Sequence, residues 1–334
     1  MQIGIIFRVI VLGIETSCDE TSVAVVKDGR KILANAVTSS IEDHAKYGGI
    51  FPEIAARRQV EYMIPVIDKA LSDSGISIDQ IDLIAVTDQP GLQTSLLVGI
   101  MTAETLSSVW KKKLMKVHHT MGHLSSPWLT TSEDEVKFPV LSLSVSGGHS
   151  ELWLRQSHKD GEIISRTLDD AAGEAFDKGA VLLGLPYPGG PEISKLALGG
   201  NPYYADFCSK GSNFAVHSTD FSFSGMKTSL KYYLRDKGGL DELSSEEKKD
   251  IAASYQHAIC SQLVSRVKKA LENHSDISEV HIVGGVACNS YLRDMMKKAC
   301  GDKTLRIPEP KYCTDNGAMI ASAAYFLESC KHRQ

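Results

Sequence analysis

Two histidines four residues apart, His119 and His123, lie in Val117-His118-His119-Thr120-Met121-Gly122-His123, which follows a strand-like run and reads as the start of a helix. Four residues along a helix return to nearly the same face, so these two imidazoles can serve one metal ion, whereas His118 lies off that face. Spacing alone leaves a second reading open, a pair of helix-end histidines facing water. A third ligand has to come from elsewhere in the chain. Asp315, in Cys313-Thr314-Asp315-Asn316-Gly317, stands at the start of the last helix. It suits two roles, the N-cap of that helix or the carboxylate of a His2Asp site with a coordination position left for substrate.

Three glycine-bearing turns could hold an anion. Ser144-Val145-Ser146-Gly147-Gly148-His149 is a strand that ends in two glycines, where a backbone can approach a phosphate closely. Gly284-Gly285-Val286-Ala287-Cys288-Asn289 follows a strand and opens a helix, which aims N–H groups and the helix dipole at a ligand. The third turn is Tyr187-Pro188-Gly189-Gly190-Pro191. Between them, Asp169 and Asp170 read as helix caps. Glu174 and Asp177, three apart on one helix face, form a carboxylate pair suited to ribose hydroxyls or to plain solvation. Glu15-Thr16-Ser17-Cys18-Asp19-Glu20-Thr21 is a polar turn between two apolar strands.

The elements that must position these residues come in a repeated order. Strands are expected at 9–14, 22–26 and 32–37, then a helix from Pro52 to Ser74 that begins on proline and ends before Gly75. A strand at 81–87, a helix at 92–110, a strand at 114–117 and the histidine helix follow. Strands at 138–146, 150–155 and 162–168 and a helix at 171–185 restart the pattern. A strand at 279–283, a helix at 289–300, a strand at 304–307 and a helix at 315–329 finish it. A mainly helical insertion over about 186–275 separates the two parts of this second copy. Its longest helix starts with Ser244-x-x-Glu247, a capping box. Two successive copies of βββαβα imply a duplicated α/β fold of two lobes with an interlobe cleft, the pattern of the actin, Hsp70 and sugar-kinase superfamily (ASKHA, ribonuclease H-like). The lobes are expected at 8–134 and 135–334, with the last helix returning to the cleft.

Bulk properties narrow the function classes. The 334 residues are 43% hydrophobic, enough for two sizeable cores, and the net charge of -5 gives no global field for a polyanion. Seven cysteines without a Cys-x-x-Cys pair point to a reducing, cytoplasmic setting rather than a disulfide scaffold. No run approaches the roughly 20 apolar residues of a membrane span, and the apolar N-terminus is interrupted by Arg8 and lacks the marks of a signal peptide.

These motifs together resemble the TsaD family of tRNA threonylcarbamoyladenosine synthases, formerly described as O-sialoglycoprotein endopeptidases. The resemblance rests on Gly13 to Thr21, His119-x-x-x-His123, Val145 to His149, Asp169 to Lys178, Tyr187 to Pro191, Asp220-Phe221-Ser222-Phe223-Ser224-Gly225 and Cys313 to Met319. It runs from about Val9 to Tyr325. It implies transfer of a threonylcarbamoyl group from threonylcarbamoyl-AMP to the exocyclic amine of the adenosine 3′ of the anticodon, in tRNAs reading ANN codons. By the same resemblance, His119, His123 and Asp315 hold one divalent ion, iron or zinc. Ser144, Val145, Ser146, Gly147, Gly148, Asp177, Gly190 and Asn289 hold the adenylate. Glu15 is a candidate catalytic base, since no other group is marked for that task. The Val-Ser-Gly-Gly-His form is that of the bacterial and organellar branch; the Tyr ligand of the other branch is replaced here by Ser144. Thr120-Met121 stands where the family usually has Met-Glu, Gln89 replaces a Gly, and Cys288 replaces a small residue.

Other readings compete. A metallopeptidase of the His-Glu-x-x-His type needs a glutamate where Thr120 stands. An ATP-binding kinase or ATPase of the same fold explains a nucleotide cleft but not the His2Asp set, and a non-catalytic scaffold would not need the ligands. The resemblance implies tRNA as partner, bound weakly by this chain alone, together with a paralogous TsaB-like subunit and a TsaE-like ATPase, or a homodimer if the chain is of the organellar type; no membrane is involved. Lys111-Lys112-Lys113 with Lys116, just before the histidines, is the basic cluster expected to meet the tRNA backbone.

Overall fold

The computed structural model describes residues 8–45, 49–129, 137–208 and 219–329. The expected boundary at 134/135 and part of the helical insertion, 209–218, lie outside the described residues. The chain forms two compact units, Met1–Glu135 with Lys311–Gln334, and Val136–Pro310.

The first unit is built on a five-stranded sheet in the order β3-β2-β1-β4-β5, comprising β1 (Ile10–Glu15), β2 (Glu20–Lys27), β3 (Lys31–Ser39), β4 (Leu83–Gln89) and β5 (Lys113–His118). The β1–β2–β3 meander is antiparallel, while β4 and β5 join β1 in parallel. Parallel pairing needs crossovers, supplied by helices α1 (Pro52–Ser74) and α2 (Gln93–Trp110). Alternation along the strands divides the core in two. Leu12, Ile14, Val23 and Val25 pack with Met63, Ile67 and Ala103 of α1 and α2. Val11, Ala24 and Val26 pack on the opposite face with Met319, Ile320 and Ala323.

The second unit repeats the design. Its sheet has the order β10-β9-β6-β7-β8, formed by β6 (Val140–Val145), β7 (Ser150–Arg155), β8 (Gly161–Arg166), β9 (Glu279–Val283) and β10 (Thr304–Arg306). Its parallel and antiparallel pairings match the first sheet strand for strand. Its helices are α4 (Ala172–Leu182), α5 (Gly189–Leu196), α6 (Ser224–Asp236), α7 (Ser245–Asn273) and α8 (Ser290–Cys300). The capping box at Ser244 and Glu247 forms as expected. Asp169 does a different job from the one expected. It accepts from the Ser222 and Ser224 hydroxyls and from the backbone N–H of Phe223 and Ser224, and so caps α6 rather than α4.

The last helix, α9 (Gly317–Ser329), was expected with the 135–334 stretch, yet it belongs to the first unit. The reason is apolar surface. Its buried residues include Ala318, Met319, Ile320, Ala321, Ala323 and Ala324, an almost wholly hydrophobic helix that covers the exposed face of the first sheet. Among the described residues no helix is long and apolar enough to cross a membrane, and the six described cysteines form no disulfide with one another.

Candidate metal centre and anion-binding turns

Strand β5 ends at His118 and helix α3 (His119–Ser125) begins at the next residue. His118 is not idle: its Nδ1 accepts from the Thr120 N–H and serves as the N-cap. His119 and His123 are buried one turn apart, with ring centroids 4.7 Å apart and nearly perpendicular planes. Helix α3 can sit this close to α9 because residue 122 is glycine; a Cβ there would stand 2.6 Å from the Ile320 Cδ1. Met121 packs beside it against the same apolar cluster, so the residue that replaces the family's usual carboxylate joins the core.

Asp315 arrives from the other end of the chain, just ahead of α9. That helix seats directly on β1, because both facing residues are glycines: a Cβ on Gly317 would lie 2.6 Å from the Gly13 carbonyl oxygen. The Ser22 hydroxyl accepts from the Gly317 N–H at 2.8 Å. The N-cap role falls to Asn316, whose Oδ1 accepts from the Met319 N–H at 3.0 Å. Asp315 is thereby released from capping, and its Oδ1 lies 3.5 Å from His119 Nε2 and 3.1 Å from His123 Nε2.

The three side chains offer one ligand atom each, all within 4.8 Å of one another. Both ring nitrogens of His123 are buried; Nδ1 has no hydrogen-bond partner, and Nε2 faces only the Asp315 carboxylate at 3.1 Å, out of line for a regular hydrogen bond. An unpaired buried imidazole costs free energy unless something else takes its lone pair. A metal ion is such a group, so the residues fit one.

Behind His119 sits Glu15, fully buried at the end of β1. Its Oε2 is 3.2 Å from His119 Nδ1 and also accepts from the Thr87 hydroxyl, while its Oε1 accepts from the Ser17 N–H at 2.6 Å. The Ser17 hydroxyl lies 3.1 Å from the same Nδ1. A carboxylate on Nδ1 turns Nε2 toward the site and makes it a better donor to a metal. Burial alone would lower the His119 pKa, but the Asp315 and Glu15 carboxylates outweigh it and raise it to about 9. Burial pushes Asp315 up, yet His119 and His123 hold its carboxyl well below the usual carboxylate range. Burial, Asp315 and Asp19 drive the neighbouring Glu20 well above its ordinary value. The pocket is therefore rich in negative charge, as a cation site requires.

In the second unit, β6 ends in a tight turn where Ser146 N–H donates to the His149 carbonyl, and the Ser146 hydroxyl accepts from His149 N–H. Ser144 and Val145 are buried in the strand. Gly147 and Gly148 are exposed, with no atom within 4 Å of where a Cβ would be. The neighbouring parallel strand β9 ends in Gly284, at φ 91°, where a Cβ would stand 2.2 Å from the Val145 carbonyl oxygen. The two glycine turns thus lie side by side at the carboxyl ends of parallel strands, the usual place for a ligand in such sheets. Asp177 Oδ1 accepts from Gly189 N–H at 2.8 Å, which fixes the start of α5 and Gly190 against α4. Asn289 caps α8 through Leu292 N–H and reaches Ser194 on α5 and Gln256 on α7. Glu174, paired in the sequence with Asp177, is instead engaged by Lys178.

Ser17, Thr87, Asn316 and His118 are the contributors that motif spacing does not disclose. Ser17 lies in the polar turn after β1 and so had a signal, whereas Thr87 is merely one more β-branched strand residue. The basic cluster is placed differently from expectation. Lys113 opens β5 and His118 closes it, so Lys111, Lys112 and Lys113 stand at the far end of the strand from the histidines, with Lys116 part-way along it. Lys113 pairs with Glu328, Lys116 with Glu104 at 3.1 Å, and Lys112 donates to the Asp79 carbonyl.

A duplicated α/β chain with these sheets belongs to the two-lobe actin-like class of folds. Solved structures agree: component A of (R)-2-hydroxyglutaryl-CoA dehydratase from Acidaminococcus fermentans aligns with a TM-score of 0.57 at 15% identity, covering 96% of this chain and 99% of that one. Full-length HypF aligns with a TM-score of 0.59 at 14% identity, over 96% of this chain and 46% of that one. The family TsaD, tRNA N6-adenosine threonylcarbamoyltransferase, matches residues 31–322. Proteins of that name from Symbiobacterium thermophilum and Thermomicrobium roseum are 45% and 46% identical, each covering 95% of this chain and 91% and 92% of their own length. The chain belongs to the tRNA N6-adenosine threonylcarbamoyltransferase family.

Proposed function

We propose that this protein transfers the threonylcarbamoyl group of threonylcarbamoyl-AMP to the N6 amine of the adenosine 3′ of the anticodon, in tRNAs reading ANN codons. The observation that carries this reading is the convergence of His119 Nε2 and His123 Nε2 on Asp315 Oδ1, in a chain of this family. The amine nitrogen attacks the carbamoyl carbon, the bond from that carbon to the phosphate oxygen breaks, AMP leaves with the bonding pair, and the amine proton is released. The donor is already an activated mixed anhydride, so positioning and charge stabilisation account for the catalysis.

His119, His123 and Asp315 would hold one divalent ion, iron or zinc, which supplies a Lewis acid able to polarise the carbonyl. Glu15 has both oxygens engaged and acts by fixing the tautomer and direction of His119. The open backbone at Gly147 and Gly148 suits the phosphate, with Ser144, Val145 and Ser146 forming the strand end that presents it. Asp177, Gly190 and Asn289, grouped around α5, suit the nucleoside. Six described cysteines without a disulfide among them support a reducing, cytoplasmic setting.

A paralogous partner subunit is part of this reading. It is supported by an apolar stripe on α1 and α2, where Val60, Ile64, Leu97 and Met101 are each more than half exposed. Light scattering with and without the paralogue tests it; a homodimer formed by the chain alone would replace it.

The deciding experiment incubates the purified protein with threonylcarbamoyl-AMP and unmodified tRNA, with and without the paralogue and ATPase. Digestion of the tRNA to nucleosides and mass analysis should show threonylcarbamoyladenosine with the wild type and none with His123→Ala. Absence of product under every combination refutes the assignment.

A further inference from the structure

Lys112, Lys113 and Lys116 are each engaged by a neighbour, and a second group of cations lies in the other unit. The second unit contains a cavity of about 180 Å³ between edge strand β8 and the C-terminal half of α7. Leu152, Ile164 and Ala270 contribute apolar surface to it. The remaining lining is Arg266, Lys269, Asn273, His274, Ser165 and Thr219, and it contains no aspartate or glutamate.

This lining is built rather than incidental. Arg266, Lys269 and Asn273 are three and four residues apart on α7 and share one face. The Arg266 Nε–H donates to the Asp220 carbonyl at 3.0 Å, which fixes the guanidinium. The Ser165 hydroxyl donates to the Thr219 carbonyl at 2.6 Å, and Asp220 Oδ1 accepts from Arg166 N–H at 2.9 Å, so the 219–221 segment is laced along the edge of β8. Burial lowers the Arg266 pKa, and the charge of Asp220 works the other way. Lys269 has no ion-pair partner among the described residues, whereas Lys178, Lys195 and Lys249 each have a carboxylate.

We propose that this cavity binds a phosphate group, and that in function the group is a backbone phosphodiester of the tRNA. The second half of the proposal rests on the tRNA-modification reading above. An arginine held through its Nε–H, a lysine without an ion-pair partner among the described residues, the Asn273 amide and the Thr219 hydroxyl are the kind of donor set that positions nucleic-acid backbones.

The test compares wild type with Lys269→Gln and Lys269→Glu in the full chain, each checked for an unchanged melting curve. Binding of unmodified tRNA is followed by fluorescence anisotropy from about 50 to about 300 mM salt. Loss of one contact should reduce the log–log salt slope by about 0.7–0.9 and weaken low-salt binding several-fold, more for the glutamate. Binding of threonylcarbamoyl-AMP should not change. Should wild type and both variants share one slope and one affinity, the cavity assignment falls while the tRNA reading stands. Failure of the wild type to bind or modify tRNA at all removes the reading itself. Millimolar inorganic phosphate provides the second arm: protection of the wild type but not Lys269→Glu against thermal unfolding, with coincident tRNA curves, would assign the site to free phosphate and overturn the RNA half.

Discussion

Gly13 and Gly317 meet backbone to backbone: a Cβ on Gly13 would stand 2.2 Å from the Gly317 carbonyl oxygen and 2.7 Å from the Ala321 nitrogen. The contact sets the height of α9 above β1, and Asp315 lies two residues before Gly317. Gly13→Ala should therefore act twice. Overpacking of this kind costs about 1–3 kcal/mol and more when backbone must move, and the displaced helix should carry Asp315 away from the histidines. Urea unfolding and metal content per chain report the two effects. A variant that kept both at wild-type values would show that α9 is not held by this contact.

Glu15 supports His119 from behind, and Glu15→Gln keeps its shape while removing its charge. Metal affinity is expected to fall about 10–100-fold, the usual consequence of losing a carboxylate behind a ligand histidine. Titration of the metal-free protein with zinc, followed calorimetrically, measures it. A base taking part in the chemistry but not in binding would instead leave affinity intact and abolish turnover.

The second unit should be acid-labile. Glu279 accepts from the Arg306 guanidinium at 2.8 Å and faces His281 at 3.3 Å, both buried. Burial, seconded by the Arg155 and Arg306 charges, pushes His281 down to about 4. Burial would raise Glu279, but its bonds to His281, Arg306 and Lys137 N–H hold it down to about 2. In the unfolded chain both take up a proton at higher pH than in the folded one, so the unfolded state binds more protons as pH falls. Stability should be full above about pH 6.5, fall between pH 6.5 and 4 through His281, and fall again below about 4.5 through Glu279. A shift from 6.5 to about 4 corresponds to on the order of 3 kcal/mol. Melting temperatures across pH 8 to 4 should show the first decline, and His281→Gln should flatten it.

Asp169 makes four bonds to residues at the start of α6, from outside that helix. Asp169→Ala should cost about 1–2 kcal/mol, at the upper end for a lost cap, because hydroxyls as well as backbone N–H groups lose their acceptor. Hydrogen exchange should speed up at Phe223 to Met226 and leave α4 untouched. Faster exchange at α4 instead would restore the capping role read from the sequence.

The regular parts of this fold were legible because their signals are local. Pro52 and Gly75 mark the ends of α1 by backbone chemistry alone, and the strands announce themselves by apolar runs. The duplication was legible from element order, and the two sheets share one strand order. The pairing of His119 and His123 on one helix face followed from helical periodicity. What escaped was non-local. Whether Asp315 or Asn316 caps α9 depends on where the histidines lie in space, and no spacing rule encodes that. The lysines before His118 looked near the site because they are near in sequence, yet β5 holds Lys113 about 17 Å along the strand from His118. The place of α9 in the first unit was equally hidden, since an all-apolar helix does not say which sheet it will cover.

That placement has a bearing on how the protein is made. The sheet of the first unit is complete once His118 has been synthesised, but the face lined by Val11, Ala24 and Val26 finds its cover only in α9. The whole second unit, Val136–Pro310, leaves the ribosome in between as one uninterrupted stretch and can close its own sheet first. The nascent first unit meanwhile carries an uncovered apolar surface and two histidines without their carboxylate. Asp315 and the helix that seals this surface arrive together, so the polypeptide brings the carboxylate to its two histidines in the same step that ends its exposure to aggregation. A chain stopped short of that point holds neither a finished core nor the assembled His119, His123 and Asp315 cluster.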